Sequence, residues 1–340
     1  MVRAAEREAT SDLRFPELRR PGFLTTWVPR AGTLAAMAAG YVVLTLLADE
    51  ILLLDLQRVF IFAIAAVSIN LLIGYAGQIS LGHQAFFGVG ALASAGLVSS
   101  VGWSFWPAIL AAALLGATAA ALLGVVALRL RGLYLALITL AFGFFAENVL
   151  FNIRSLTRGA AGMPAPRPEG FGGQLPYLYL CMAFFVLVQL LDWRLVSSKA
   201  GRAILAVRDD ERVAASVGVN VTMYKVIAFA LSGSFAGLAG ALFAHQTGLV
   251  LASDFNFELA LTFVFIAVVG GLGSRVGVFV AAAFFTLFES FAQSLREYVP
   301  LIGAILLVLT LILNPGGLAQ ALRPLVDWFQ GKPFRLPHRH

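Results

Sequence analysis

Five ionisable side chains fall within or at the edges of long apolar runs: His83, Glu147, His245, Glu258 and Glu289. A charge held in lipid is costly, so such groups are first suspected of handling protons, ions or solutes. Here position counts against that role. Glu147, His245, Glu258 and Glu289 lie near the predicted outer ends of their runs, where a side chain can reach water. Two readings stand: interfacial anchoring, which is the plainer, and a place in a substrate path or partner contact. They form no repeated mid-membrane relay of the kind a proton-coupled carrier needs. They supply no nucleophile with an adjacent base either, so no intramembrane enzyme emerges. The amides Asn70 and Gln189, inside apolar runs, suit helix-to-helix hydrogen bonds.

Nucleotide and metal chemistry also find no site. There is no GxxxxGK[ST] phosphate loop, and none of the three lysines follows such a glycine pattern. If ATP drives this chain, the ATPase is another subunit. The single cysteine, Cys181, excludes an intrachain disulfide and reads as packing. No Cys/His cluster has metal-ligand spacing. Neither a metal nor a cofactor is expected in this chain.

Dense charge is confined to residues 199–225, KAGRAILAVRDDERVAASVGVNVTMYK. Within it, residues 203–217 contain no Gly or Pro and are predicted as one helix. Spacings of three, Arg208 with Glu211 and Asp209 with Arg212, would support that helix on a water-facing surface. Gly218 supplies a stop and Asn220 a turn. Both a solvated loop and a docking lever for a soluble partner fit this stretch.

The elements around it must hold it at a membrane. Of 340 residues, 60% are hydrophobic and 12% charged, with a mean hydropathy of +0.87. A soluble domain carries about 25% charged residues. The fold class is therefore all-α: a polytopic integral membrane protein with about ten transmembrane helices. A span needs about 20 apolar residues. The expected spans are 33–54, 57–74, 83–101, 106–128, 133–151, 176–191, 225–245, 259–270, 276–292 and 298–313. The 33 glycines suit close helix packing in lipid. Residues 1–32 are polar and basic, with no apolar core and cleavage site of a signal peptide.

Lysine and arginine favour cytoplasmic segments. With the N-terminus inside, nineteen of the 24 Lys and Arg fall on the inner side. That orientation makes residues 1–32 a cytoplasmic segment, 33–315 the transmembrane domain with a cytoplasmic loop at 192–224, and 316–340 a cytoplasmic tail. The net charge of +6 then reads as membrane anchoring, not nucleic-acid binding. The first outer loop would be acidic, with Asp49, Glu50 and Asp55. The largest outer segment, 152–175, holds Pro164, Pro166 and Pro168 and is too broken for a regular helix. A lid and a connector are both open for it.

Two glycine-rich stretches interrupt the inner side. The first, GYAGQISLGH at 74–83, contains Gly74, Gly77, Gln78, Ser80, Gly82 and His83. The second, VGGLGSRVG at 269–277, contains Gly271 and Gly273. Irregular backbone at this depth survives only under cover of protein or water. A plain turn and a broken element near the solute pathway are the two readings. One stretch in each half hints at an internal duplication.

At these residues the chain resembles a known family. SINLLIGYAGQISLGHQAFFGVGAL (68–92) and RGLYLALITLAFG (131–143) closely resemble signature regions of the permease subunits of branched-chain amino acid ABC importers, the LivM type within the LivH/LivM family. Residues 201–244 look like that family's coupling segment and the helix after it. VVGGLGSRVGVFVAA (268–282) is similar to a third signature. Four matches in order cover roughly 68–315.

The resemblance implies a permease subunit of a bacterial inner-membrane importer, with no enzymatic activity of its own. Its implied partners are a second permease subunit, homologous or identical, two ABC ATPase subunits that bind ATP, and a periplasmic or surface substrate-binding protein. In the wider importer group a coupling helix carries Glu-Ala-Ala followed by Gly. The nearest match here is Glu211, Ala214, Ala215 and Gly218, with the Glu separated from the alanines. The ATPase contact is expected over residues 203–218, from Ala203 onward. Ala214 and Ala215 would allow close approach, and the run Arg208, Asp209, Asp210, Glu211 and Arg212 would supply charge complementarity. On the outer side, Arg154, Arg158, Arg167 and Arg296 are available for acidic groups of a binding protein. Leucine, isoleucine and valine are the implied solutes, with urea or short amides as alternatives. A self-sufficient secondary carrier or channel is the competing class.

Overall fold

A computed structural model of the protein describes residues 49–127, 132–291, 298–313, 317–318 and 320. The expected segment 1–32, residues 33–48 of the first span at 33–54, Arg296 and most of the tail at 316–340 lie outside these residues.

Helices carry the chain. Helix α1 runs over Glu50–Ile69 and continues as a π-helix over Asn70–Tyr75. It is followed by α2 (His83–Ser99), α3 (Phe105–Ala127), α4 (Leu133–Asn148) and α5 (Gln174–Ser197). Two short helices, α6 (Lys199–Asp209) and α7 (Glu211–Ser216), lead into the long α8 (Val221–Thr247). Helices α9 (Phe257–Gly270), α10 (Arg275–Phe291) and α11 (Val299–Leu313) complete the described chain. Strands β1 (Met163–Pro164) and β2 (Leu249–Val250) pair antiparallel, Met163 opposite Val250. Among the described helices, five are long and apolar enough to cross a membrane: the α1 unit, α3, α4, α5 and α8. Nine of the ten expected spans coincide with described apolar helices.

Burial sets the layers. Helices α1 and α8 are enclosed along most of their length, whereas α3, α4 and α5 turn Leu110, Leu122, Leu137, Phe145, Leu190 and Trp193 outward. In lipid, helices gain little from hiding apolar surface from one another. Small residues that permit close approach dominate their contacts instead. The seam of α8 with α2 and α3 follows that rule. A Cβ on Gly116 would lie 2.3 Å from Gly233 O, and one on Gly240 would lie 1.9 Å from Phe87 O. Phe62, Phe87, Phe243 and Phe263 fill the space beside the seam, with ring centroids 5.2–6.4 Å apart.

Three expectations about boundaries change. First, no loop separates a span ending at residue 54 from one beginning at 57, because α1 is continuous from Glu50. Two of the polar residues there bond sideways to other helices. Gln57 Nε2 donates to Gln174 O at 2.7 Å, and Ser290 Oγ donates to the Asp55 carboxylate. Glu50 and Asp55 are helical, not part of an acidic loop. Second, α5 extends to Ser197, past the expected end at 191. Third, the charged helix is two helices. Asp210 has extended backbone (φ −158°, ψ 115°), and its Oδ1 accepts from Arg212 N at 2.7 Å and Val213 N at 3.1 Å. An aspartate that caps a new helix ends the old one. The three-residue spacings of Arg208, Asp209, Glu211 and Arg212 therefore straddle a break.

Candidate functional site: a glycine hub bound to the charged helices

The site begins where α1 unwinds. Ala76 N donates to Leu71 O at 3.2 Å and Gln78 N to Leu72 O at 3.0 Å, a widened ladder ending at Gly77. Gly77 sits at φ +65°, where a side chain would strain the backbone and also meet Arg208 Cγ at 2.8 Å. The backbone then runs irregularly to α2 and finds partners on other helices. Leu81 N donates to Thr139 Oγ1 at 3.0 Å.

His83, fully buried, fixes the far end of this stretch. Its Nδ1 lies 2.9 Å from Ser80 Oγ and its Nε2 lies 2.8 Å from Ser232 Oγ on α8. Ser232 Oγ spends its proton on Ser68 O at 2.7 Å. It must then accept from His83 Nε2–H, and the Ser80 hydroxyl donates to Nδ1. The chain Ser80–His83–Ser232–Ser68 is satisfied by one neutral tautomer. It ties the glycine stretch to both central helices.

The second glycine stretch packs onto the first. Ser274 N donates to Gly271 O at 3.0 Å, closing a turn in which Gly271 and Gly273 have φ of +100° and +83°. Gly273 N donates to Asn70 Oδ1 at 2.7 Å. A Cβ on Gly74 would come within 2.8 Å of Gly273 N. Two turns about 200 residues apart thus form one hub.

The charged helices dock on this hub. Ser198 Oγ caps α6 by accepting from Gly201 N at 3.1 Å, and α6 buries Gly201, Ile204 and Val207. At its end the Arg208 guanidinium donates to Gly74 O. Glu211 pairs with Lys225, at the start of α8, at 2.5 Å. Gly218 takes φ +84°, and the Asn220 side chain caps α8 by accepting from Met223 N at 3.0 Å. An open cleft of about 350 Å³ lies between hub and helices, lined by Gly77, Gln78, Gly132, Arg208, Glu211 and Lys225.

The nominated residues separate into two groups. Gly74, Gly77, Ser80, Gly82, His83, Gly273 and Arg208 converge on the hub. Ala214 is buried, and Ala203 and Glu211 are half-buried. Asp209, Asp210, Arg212, Ala215 and Gly218 face out. Sequence reasoning missed the apolar part of that outward face. Val213, Val217 and Met223 are 60%, 72% and 54% exposed. It also missed Asp192, which is fully buried and accepts from Arg275 Nε and from the Tyr75 hydroxyl, the latter at 3.3 Å. Its signal was an aspartate following VQLL in an apolar run, hidden by ending that span one residue early.

The opposite end of the bundle is a separate structure. Arg167 donates to His245 O at 3.3 Å, Gly172 O at 3.2 Å and Gln246 O at 3.1 Å, and its guanidinium stacks 4.7 Å from the Tyr177 ring centre. His245 is fully buried, donating from Nδ1 to Pro166 O at 2.7 Å and accepting at Nε2 from Ser94 Oγ at 2.9 Å. His245 therefore does not reach water, and Arg167 is already engaged within its own chain. Glu258 is exposed, and Glu147 and Glu289 are half-buried. Arg154 and Arg158 are exposed. Arg158 also donates to Ser100 Oγ at 3.0 Å.

No covalent chemistry follows from the hub. It links charged surface helices to breaks in buried backbone. Residues 51–313 match a family described as the permease component of branched-chain amino acid transport systems. The high-affinity branched-chain amino acid transport system permease protein LivM of Salmonella typhimurium is 33% identical over 292 residues, 78% of this chain and 69% of that one. LivM of Escherichia coli K12 gives the same identity and coverage. The autoinducer 2 import system permease protein LsrC of Shigella flexneri is 31% identical over 116 residues, 33% of this chain and 34% of that one. Among solved structures, PsaBC from Streptococcus pneumoniae in complex with Fab aligns with a TM-score of 0.44 and 15% identity, covering 84% of this chain and 99% of that one.

Proposed function

For a chain that belongs to the family of permease components of branched-chain amino acid transport systems, we propose that it is the membrane subunit of an ATP-driven importer for leucine, isoleucine and valine. It works as one of two permease subunits, homologous or identical, with two ATPase subunits that bind ATP and a substrate-binding protein that delivers the solute. It sits in the bacterial inner membrane with α6 and α7 on the cytoplasmic side. The segments 1–32 and 316–340 flank a transmembrane domain at 33–315 on that same side.

One observation carries the reading. The end of α7 offers exposed Val213 and Val217, and the start of α8 offers exposed Met223, with Arg212 also exposed, while α6 is tied to the hub through Arg208 and α7 to α8 through Glu211 and Lys225. A partner gripping the outer face would pull on both glycine turns. ATPase closure would thereby rock the attached helices between outward- and inward-facing arrangements. Val213 and Val217 make the contact and Arg212 adds charge steering. Arg208, exposed but bonded to Gly74 O, and the buried Ala214 transmit rather than touch.

The test is purification from native membrane in mild detergent, with identification of whatever accompanies the chain. A second permease-like chain, P-loop ATPases and a binding protein that takes up leucine support the proposal. A binding protein that prefers urea or short amides changes the solute and keeps the class. Recovery of the chain alone moves a self-sufficient carrier or channel to the front.

A further inference from the structure

Resting on that function, we propose that Asp192 is a positioning residue of the transport cycle. Its carboxylate locks the helix that feeds α6 to both glycine turns, so that movement of the charged helices reaches the two turns together.

Three elements meet at this side chain. Asp192 lies on the last turns of α5, just before the Ser198 cap of α6. Arg275 opens α10 directly after the second glycine turn. It donates from Nε to the Asp192 carboxylate and from Nη2 to Asp192 O at 3.3 Å. Tyr75 ends the π-helix of α1, next to the Gly74 carbonyl that Arg208 engages. Its hydroxyl donates to the same carboxylate oxygen. One oxygen atom thus holds α1, α5 and α10.

As adhesive, a buried ion pair is a poor choice, because apolar side chains of equal volume hold a core as well or better. What the pair adds is direction. A guanidinium on a carboxylate fixes orientation as well as distance. The joint is also incomplete: Asp192 Oδ1 is buried and accepts no hydrogen bond from the described residues. A buried acceptor left empty is costly. It gives the joint a second place to pair when the three helices shift, and packed joints of this kind switch between discrete arrangements.

The experiment uses the complete transporter in proteoliposomes, with uptake and ATP hydrolysis measured on the same vesicles. In Asp192→Asn, the ATPase subunits should remain bound and hydrolysis should continue. Uptake per ATP should fall about tenfold, within the usual range for coupling between sites. Asp192→Glu should recover most of the loss. If Asp192→Asn fails to insert, Arg275→Lys and Tyr75→Phe report on the same joint and should lower the same ratio. An unchanged ratio in the inserted variants overturns the inference. So does a proportional loss of uptake, hydrolysis and folded protein, which marks plain packing. A wild-type complex without ATP-driven uptake overturns the proposed function and this inference with it. A coupled wild type with an unaltered Asp192→Asn overturns the inference alone.

Discussion

Arg208 and Gly74 are 134 residues apart in the chain, yet the guanidinium of one donates to the carbonyl of the other at the point where α1 breaks. The contact satisfies a backbone acceptor that the ending helix leaves over. It also joins a charged surface helix to irregular buried backbone.

Removing that contact should uncouple without unfolding. In Arg208→Ala, α6 still buries Ile204 and Val207, so insertion and ATPase binding are expected to persist. Uptake per ATP hydrolysed should drop by about tenfold, measured in proteoliposomes. Arg208→Lys, which keeps a donor but not its fork, should lie between the two.

The outer face should behave in the opposite way. Val217→Asp places a charge where a partner's apolar surface is expected and touches nothing inside the chain. The variant should insert and melt like the wild type in detergent, while co-purified ATPase falls at least about tenfold, as for a hot-spot residue. Ala214→Leu, on the buried side of the same helix, should lower the melting temperature instead.

Helix packing is testable at Gly240. A Cβ there would approach Phe87 O to 1.9 Å, so Gly240→Ala must separate α8 from α2. Overpacking of a core costs about 1–3 kcal/mol. A lower thermal midpoint of the detergent-solubilised protein is expected, with no selective change in ATP coupling in molecules that remain folded.

At the far end, Arg167→Ala should release the proline-rich segment from α8. Its three hydrogen bonds to backbone carbonyls and its stacking on Tyr177 are lost together. Faster amide exchange over residues 159–173 and new protease cleavage there are the expected readouts, with the hub unaffected.

Much of this architecture was legible in the sequence because lipid imposes simple rules. Long apolar runs separated by glycine breaks and charge gave nearly every described helix. Both glycine stretches stand out in the sequence. What stayed hidden was pairing across the chain. Asp55 looked like part of a loop because its partner, Ser290, is supplied by another helix. Asp210 read as one more surface charge, although an Asp-Asp-Glu run is also a helix-start signal. The same limit concealed Asp192, whose arginine lies 83 residues away. It also concealed the engagement of Arg167 and the burial of His245. Periodicity and hydropathy report the environment of a residue along its own helix. They carry no information on which distant group will neutralise it.

The central claim is that this chain moves solute only when an ATPase drives its charged helices. The most direct measurement is leucine uptake into proteoliposomes holding the chain and its permease partner, with the binding protein present, compared with and without the ATPase subunits and ATP. The account predicts uptake that requires both and that disappears when ATP is replaced by a non-hydrolysable analogue. Uptake by the chain without ATPase subunits would contradict it.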